Sequence, residues 1–296
     1  MTDTVPVAVV IPTYNRGLAI FSTLRRIYAC DPRPMEVLVH IDAADGTLEA
    51  EIAKQYPEVR VLTSLIRLGP GGGRHRCLLA CKAPYAASFD DDSYPVDNDF
   101  FYRVQQLFSQ HPRAAVIAAI IWQRGEVARA RKDDLVRVPS YVGCGYAVRL
   151  AAYRKIRGSL PRPVPYGMEE TDVALQLFAG GWHIYEVGAL RVFHDTDLSH
   201  HQSPEIISGV VTNVGLFAFL NYPVIAWGWG VLQLVNIVVF SVRTGRIKGL
   251  CAGILHIPAE CYRNRRYRNP ITWKTLRKFL RFRRTGVAEI ADCHAD

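Results

Sequence analysis

Hydrophobic and polar positions follow two regimes along this chain. Over the first two hundred residues, short apolar runs alternate with stretches of helical periodicity. Residues 5–11 form a continuous β-branched run closed by Pro12, and residues 37–41 and 59–62 repeat it. Runs this unbroken predict strands buried on both faces, because a strand with one face in water would alternate apolar with polar. The intervening stretches, 18–29 and 48–56, space their apolar residues as helices do. Strand-helix-strand order predicts an α/β domain on a mostly parallel sheet. Further strands are predicted over 86–89, 114–122 and 142–149, with a polar loop over 123–134. A helix over 171–179 is expected to stop at Gly180 and Gly181.

After Glu205 the pattern changes. Residues 206–242 contain no charged side chain in 37 positions, the sharpest boundary in the sequence. It divides the chain into a 1–205 domain and a hydrophobic, then basic, helical region over 206–296. The stretch 224–242 approaches the length that spans a bilayer, with Trp227 and Trp229 near one end and Arg243, Arg246 and Lys248 beyond the other. Gly228, Gly230, Gln233 and Asn236 interrupt it, so an interfacial or re-entrant helix is favoured over a clean span. A buried helical pair or a homodimer interface stands as an equal alternative. In 272–284, Trp273, Leu276, Phe279 and Leu280 form an apolar stripe between cations, the pattern of a helix lying on an anionic membrane surface.

Charge sharpens this division. The chain's net charge of +9 is not spread evenly. The first 242 residues hold equal numbers of acidic and basic side chains, whereas 243–284 hold 13 basic residues against Glu260 alone. The basic character therefore belongs to one segment. A nucleic-acid-binding reading of that segment, with Tyr262, Tyr267, Trp273 and Phe282 interleaved, is set aside because the neighbouring uncharged run suits lipid. Seven cysteines in no C-x-x-C spacing fit neither a disulfide framework nor a zinc site, and point to a reducing compartment. The N-terminus lacks the basic lead of a signal peptide, so the domain is expected to face the cytosol, on the cytoplasmic side of the cell membrane.

Three constellations carry chemistry. Asp90, Asp91 and Asp92 follow a buried strand directly, where ligands bind in open parallel sheets. Adjacent carboxylates suit Mg²⁺ or Mn²⁺ carrying a diphosphate, although an acidic helix cap reads the same way. The run from Leu68 to Arg76 reads as a glycine-rich loop before a helix. There Gly71 lets backbone N–H groups approach a ligand while Arg74 and Arg76 supply charge for phosphate. Its spacing matches neither a P-loop nor a dinucleotide fingerprint. Glu169, Glu170 and Asp172 open the predicted helix behind a lead-in of Pro161, Pro163, Pro165 and Gly167. They read either as dipole-favouring acids or as a source of a general base for a hydroxyl. His194 ends a predicted strand, and His200 and His201 are taken as surface residues.

Together and in order, these pieces resemble the family 2 glycosyltransferases with their GT-A nucleotide-sugar-binding fold. The matching residues are Pro12, Thr13, Tyr14, Asn15 and Arg16 after the first strand, Asp42 with Asp45-Gly46-Thr47 after the second, the 69–76 run, the D-x-D of Asp90 and Asp92, Glu169-Glu170 with Trp182 downstream, and His194. The resemblance implies that Thr13, Tyr14 and Asn15 line a nucleotide pocket, with Pro12 and Arg16 of the same motif. It implies that Asp42 contacts the base and that Arg74 lies near the nucleotide. Asp90, with Asp91 beside it, would serve the ribose or sugar side; Asp92 would coordinate the metal, with His194 completing the metal or diphosphate site. Glu170 stands where the family keeps its base, but the usual Glu-Asp pair is Glu-Glu here, which leaves Glu169, Glu170 and Asp172 all open. Two further departures are the displaced register of Asp42 and the presence of Arg67 and His75 where the family commonly has Asn. The implied reaction is inverting transfer from a UDP, GDP or dTDP sugar to a saccharide or lipid-linked acceptor in cell-surface polysaccharide or glycolipid synthesis. A sugar-phosphate nucleotidyltransferase on a related fold is the alternative, and the start of the first strand argues against it.

Overall fold

The apolar run near the N-terminus forms β1 (Thr4–Thr13), buried along nearly its whole length because it sits inside a sheet covered on both faces. The computed structural model describes residues 4–14, 16–17, 19–126, 134–160, 167–196 and 203–286. By internal contacts the chain divides into Met1–Pro163 with Gln176–Asp197, and Val164–Leu175 with Leu198–Asp296.

In the first unit, β1 is flanked in parallel by β2 (Arg33–Ile41) and β4 (Tyr85–Phe89), and β3 (Arg60–Thr63) extends the sheet beyond β2. The crossovers are α1 (Ala19–Tyr28), α2 (Thr47–Gln55) and α3 (Gly69–Ala80), as the periodicity predicts for the first two. Beyond β4 the sheet departs from the parallel expectation. β8 (Gly145–Arg149) lies antiparallel between β4 and β6 (Ala114–Gln123), and β6 pairs in parallel with β9 (His183–His194). Two short strands that the sequence pattern does not announce, β5 (Ser93–Pro95) and β7 (Leu135–Arg137), pair antiparallel to β9. The strand order is β3-β2-β1-β4-β8-β6-β9-β5. Of the polar connection predicted over 123–134, residues 127–133 lie outside the described residues.

Alternation along β1 separates two cores. Val5, Val7, Val9 and Ile11 join Ile20, Leu24 and Ile27 of α1, Ile52 of α2, and Phe100, Phe101, Val104 and Phe108 of α4 (Phe100–Gln110). The opposite face receives α3. Here the expected glycine-rich loop is itself helix. The reason is steric: a Cβ on Gly73 would lie 2.7 Å from His40 Nδ1 and 3.2 Å from Pro12 Cβ. Only a residue without a side chain lets the α3 backbone come this close to β1 and β2, which outweighs the poor helix propensity of glycine. His40 is fully buried, and burial keeps its pKa below the ordinary histidine value despite nearby Asp42.

The second unit is helical over its described residues. Its helices are α7 (Pro204–Asn221), α8 (Trp227–Arg243), α9 (Leu250–Arg263) and α10 (Trp273–Thr285), with the first residues of α6 (Glu169–Ala179). Both α7 and the stretch Val224–Arg243 are long and apolar enough to cross a membrane, but they differ in burial. The α7 window is 67% buried and the Val224–Arg243 window only 17%. Thus α7 is a core helix, held against α9 where Gly253 permits close approach to Ser208 and Thr212 Oγ1 donates to the Gly253 carbonyl at 2.9 Å. The amphipathic stripe of α10 is corrected too: Leu276 and Phe279 are buried in protein and Trp273 and Leu280 are half-buried, so the stripe is not laid open to lipid. Apolar side chains are instead exposed on α8, among them Trp229, Val231, Leu232, Val235 and Phe240.

Because Gly73 fixes how closely α3 approaches the sheet, Gly73→Ala should destabilise the protein by about 1 to 3 kcal/mol, the usual cost of overpacking. Denaturant unfolding measures it; an unchanged midpoint would contradict the packing argument.

Candidate active site

In open α/β sheets ligands bind beyond the carboxyl ends of the strands, and β4 delivers Asp90, Asp91 and Asp92 there immediately after buried Phe89. Three like charges in adjacent positions require partners, and each carboxylate has its own. Asp91 points inward. Its Oδ2 accepts the Thr13 hydroxyl at 2.6 Å, and its carbonyl accepts the Thr23 hydroxyl at 2.8 Å. Burial pushes the Asp91 carboxyl up to about 7 against the Thr13 hydrogen bond, with the charges of Asp90 and Asp92 adding to the rise. Asp90 pairs with the guanidinium of Arg74, a largely buried side chain on α3 that also donates through Nε to Ser88 Oγ at 3.1 Å. Asp92 pairs with Arg16, whose guanidinium lies 3.5 Å from Asp91 Oδ1.

His194 joins from the other half of the sheet. The antiparallel register of β5 and β9 sets it opposite Ser93, three residues after Asp90. Its Nε2 lies 3.1 Å from Asp92 Oδ1 and 3.9 Å from Asp90 Oδ2. Burial opposes charge on both partners, yet the Asp92 hydrogen bond and the carboxylates raise the His194 pKa. The His194 hydrogen bond and Arg16 likewise hold Asp92 below the usual carboxylate range. Outside this cluster Tyr14 is exposed, with the Arg67 guanidinium stacked 4.6 Å above its ring. The arrangement thus offers carboxylate and imidazole donors of the kind that hold Mg²⁺ or Mn²⁺, beside two arginines able to take phosphate oxygens.

The acids of α6 belong to the second unit and are described within it. The helix begins under strain, with Gly167 at φ +89° and the non-glycine Met168 at φ +74°. Asp172 is fully buried and accepts the Asn221 Nδ2–H at 2.8 Å. Glu169 is buried, and Glu170 is half-buried.

A sequence model described as Glycosyl transferase family 2 matches residues 8–167, more than half of the chain. The protein is a family 2 glycosyltransferase. No curated protein sequence matches it. Among solved structures, GalNAc-T7 aligns at TM-score 0.57 and 15% identity over 74% of this chain and 48% of its own, so this chain spans about half the length of that protein. The mannosyltransferase PcManGT of Pyrobaculum calidifontis aligns at TM-score 0.57 and 14% identity, covering 95% of this chain and 87% of that one. TarS residues 1-349 of S. aureus align at TM-score 0.51 and 12% identity, covering 95% and 92%. These likenesses establish the GT-A fold.

For this glycosyltransferase, the structure brings Thr13, Arg16, Arg74, Asp90, Asp91, Asp92 and His194 into one cluster. Asn15, the three prolines before Gly167, His200 and His201 lie outside the described residues. Pro12 is buried against the Gly73 position, and Gly71 is buried in the first turn of α3, not exposed in a loop. His75 is engaged with the Tyr153 hydroxyl at 2.9 Å. Ser88, Ser93 and Thr23, which fasten the cluster, escape sequence reasoning; isolated hydroxyl residues in strands and helices carry no spacing signal.

Asp42 has partners within the protein: its carboxylate accepts the Ser64 hydroxyl at 2.9 Å and the backbone N–H groups of Leu68 and Gly69 at 2.8 to 3.0 Å, engaging both oxygens. It therefore clamps the segment entering α3 to the end of β2. Asp42→Ala should leave three donors unsatisfied and cost about 3 kcal/mol of stability. Thermal unfolding checks this, and a variant as stable as wild type with only weakened donor binding would contradict the clamp and favour a base-contact role.

Proposed function

We propose that this glycosyltransferase moves a sugar from a nucleotide-diphosphate sugar, of the UDP, GDP or dTDP type, to a hydroxyl of a saccharide or lipid-linked acceptor, with inversion at the anomeric carbon. The observation that carries the reading is the pair Asp90 and Asp92 at the end of β4, each bound to an arginine and both within 3.9 Å of His194 Nε2. GalNAc-T7 was solved with UDP, GalNAc and Mn²⁺, and PcManGT with GDP-Man and Mn²⁺, which supports a nucleotide-sugar donor and a divalent ion here.

Asp92, Asp90 and His194 would hold Mg²⁺ or Mn²⁺. When bound, the ion supplies positive charge against the negative charge that grows on the departing diphosphate. Arg16 and Arg74 exchange carboxylate for phosphate oxygens as the donor enters, while Thr13 keeps Asp91 oriented inward. Tyr14 and Arg67 offer a stacking surface for the base. The acceptor oxygen bonds to the anomeric carbon as the bond to the diphosphate oxygen breaks, and Glu170 takes the hydroxyl proton. Glu170 is favoured over Asp172, whose carboxylate is buried and bonded to Asn221, and over Glu169, which is more buried. Asp172 instead anchors the start of α6.

Membrane attachment belongs to the same proposal. Exposed Trp229, Leu232, Val235 and Phe240 on α8, followed by Arg243, Arg246 and Lys248, form a surface suited to an anionic bilayer on the cytoplasmic side, where a lipid-linked or polysaccharide acceptor is met.

Asp92→Asn should abolish metal-dependent transfer while leaving the fold intact, and wild-type turnover would refute the metal role. Glu170→Gln should keep donor binding but lose about 10²- to 10⁴-fold in transfer rate. Activity surviving there and vanishing in Glu169→Gln would move the base by one residue. The full chain should float with anionic vesicles, and Trp229→Lys with Leu232→Lys should release it; a wild-type chain that stays with the soluble fraction contradicts membrane attachment.

A further inference from the structure

Cys144 is a buried thiol that no step of the proposed reaction uses. It sits one residue before β8, and the antiparallel ladder that pairs Phe89 with Gly145 carries Asp90 toward Cys144 as the next pair. Ser93 fastens the two, its hydroxyl accepting the Asp90 N–H at 2.7 Å and donating to the Cys144 carbonyl at 2.8 Å. Donor atoms of Asp90, Cys144 and His194 all lie within 4.8 Å of one another, the one such three-residue group among the described residues. Arg74 engages Asp90 Oδ1, whereas Oδ2 is the oxygen near His194.

We infer that Asp90, His194 and Cys144 form a mixed oxygen, nitrogen and sulfur site that takes a thiophilic divalent cation of the zinc class. The inference rests on the reading of the Asp90 and Asp92 region as a metal site and adds a sulfur ligand to it. The physical basis is ligand softness. Carboxylates and water suit Mg²⁺ and Mn²⁺, imidazole suits zinc, and a thiolate selects zinc and softer ions over magnesium. Geometry permits it: a triangle with edges of at most 4.8 Å has its centre no more than about 2.8 Å from each corner, so contraction by about 0.5 to 0.8 Å reaches the 2.0 to 2.3 Å bonds of zinc. On binding, the Cys144 thiol gives its proton to solvent and the sulfur lone pair to the ion. The ends of three separate strands bring the ligands together, so the site is set by the sheet register and not by local spacing, which is why no C-x-x-C or H-x₃-H pattern marks it.

The test uses the full chain with Cd²⁺ alone as probe, read by thiolate-to-metal charge-transfer absorption in the ultraviolet, and Mn²⁺ binding read in parallel by electron paramagnetic resonance. The band should saturate at one ion per chain. It should persist in Cys251→Ser, an exposed thiol elsewhere, and disappear in Cys144→Ser and in His194→Gln. Cd²⁺ affinity in Cys144→Ser should fall at least about tenfold while Mn²⁺ affinity changes much less. Melting temperatures identify a variant that has failed to fold, and the two substitutions at different strands guard against that outcome. Mn²⁺ binding with no Cd²⁺ band, or a band that survives in folded Cys144→Ser, overturns the sulfur ligand and leaves the metal site standing. Binding of neither ion overturns both.

Discussion

Mutual repulsion among Asp90, Asp91 and Asp92 is the constraint on which the active unit is built. Two unit charges about 4 Å apart interact by about 4 kcal/mol near a protein surface. Asp90 and Asp92, with the Asp91 carboxyl raised to about 7 between them, therefore cost a large share of a domain's stability unless they are compensated. Compensation arrives from three directions: Thr13 at the end of β1 with Arg16 beyond it, Arg74 from α3, and His194 from β9. Each depends on a different part of the chain holding its register. Arg74 reaches Asp90 only because Gly73, its neighbour, lets α3 rest on His40 and Pro12. His194 reaches Asp92 only because β9 runs beside β5 and β6.

The same constraint fits the proposed ligands. Arginines that neutralise these carboxylates are groups that phosphate oxygens would attract, and carboxylates released from them would attract a divalent cation. In that proposal donor and cation together replace the arginine–carboxylate pairs with little net change in charge. Asp91 is the exception, buried and bonded to threonine, and it serves the cluster by orienting the segment between its two neighbours.

Much of this is written locally in the chain. Strands buried on both faces, the aspartates that follow β4, and the uncharged run after Glu205 are legible because each is a contiguous pattern. What escapes depends on distant partners. The 69–76 run reads as a loop because glycine is a poor helix former, and its helical state follows from a contact with His40, more than thirty residues earlier. The clamp that Asp42 makes is invisible in the sequence because its partners, Ser64 and the N–H groups of Leu68 and Gly69, lie about two dozen residues away, two of them in the backbone. The stripe on α10 is amphipathic as predicted, but periodicity says only that an apolar face is covered, not whether lipid or protein covers it. The strands β5 and β7, three residues each, are too short for any pattern.

The central claim, that the aspartates after β4 and their arginine partners form a metal-assisted nucleotide-diphosphate site, is tested most directly by calorimetric titration of UDP, GDP and dTDP into the full chain with and without Mn²⁺. The account predicts that one of the three binds saturably in the presence of the ion and at least about tenfold more weakly once it is chelated. Equal affinity with and without the ion, or no binding of any of the three, would contradict it.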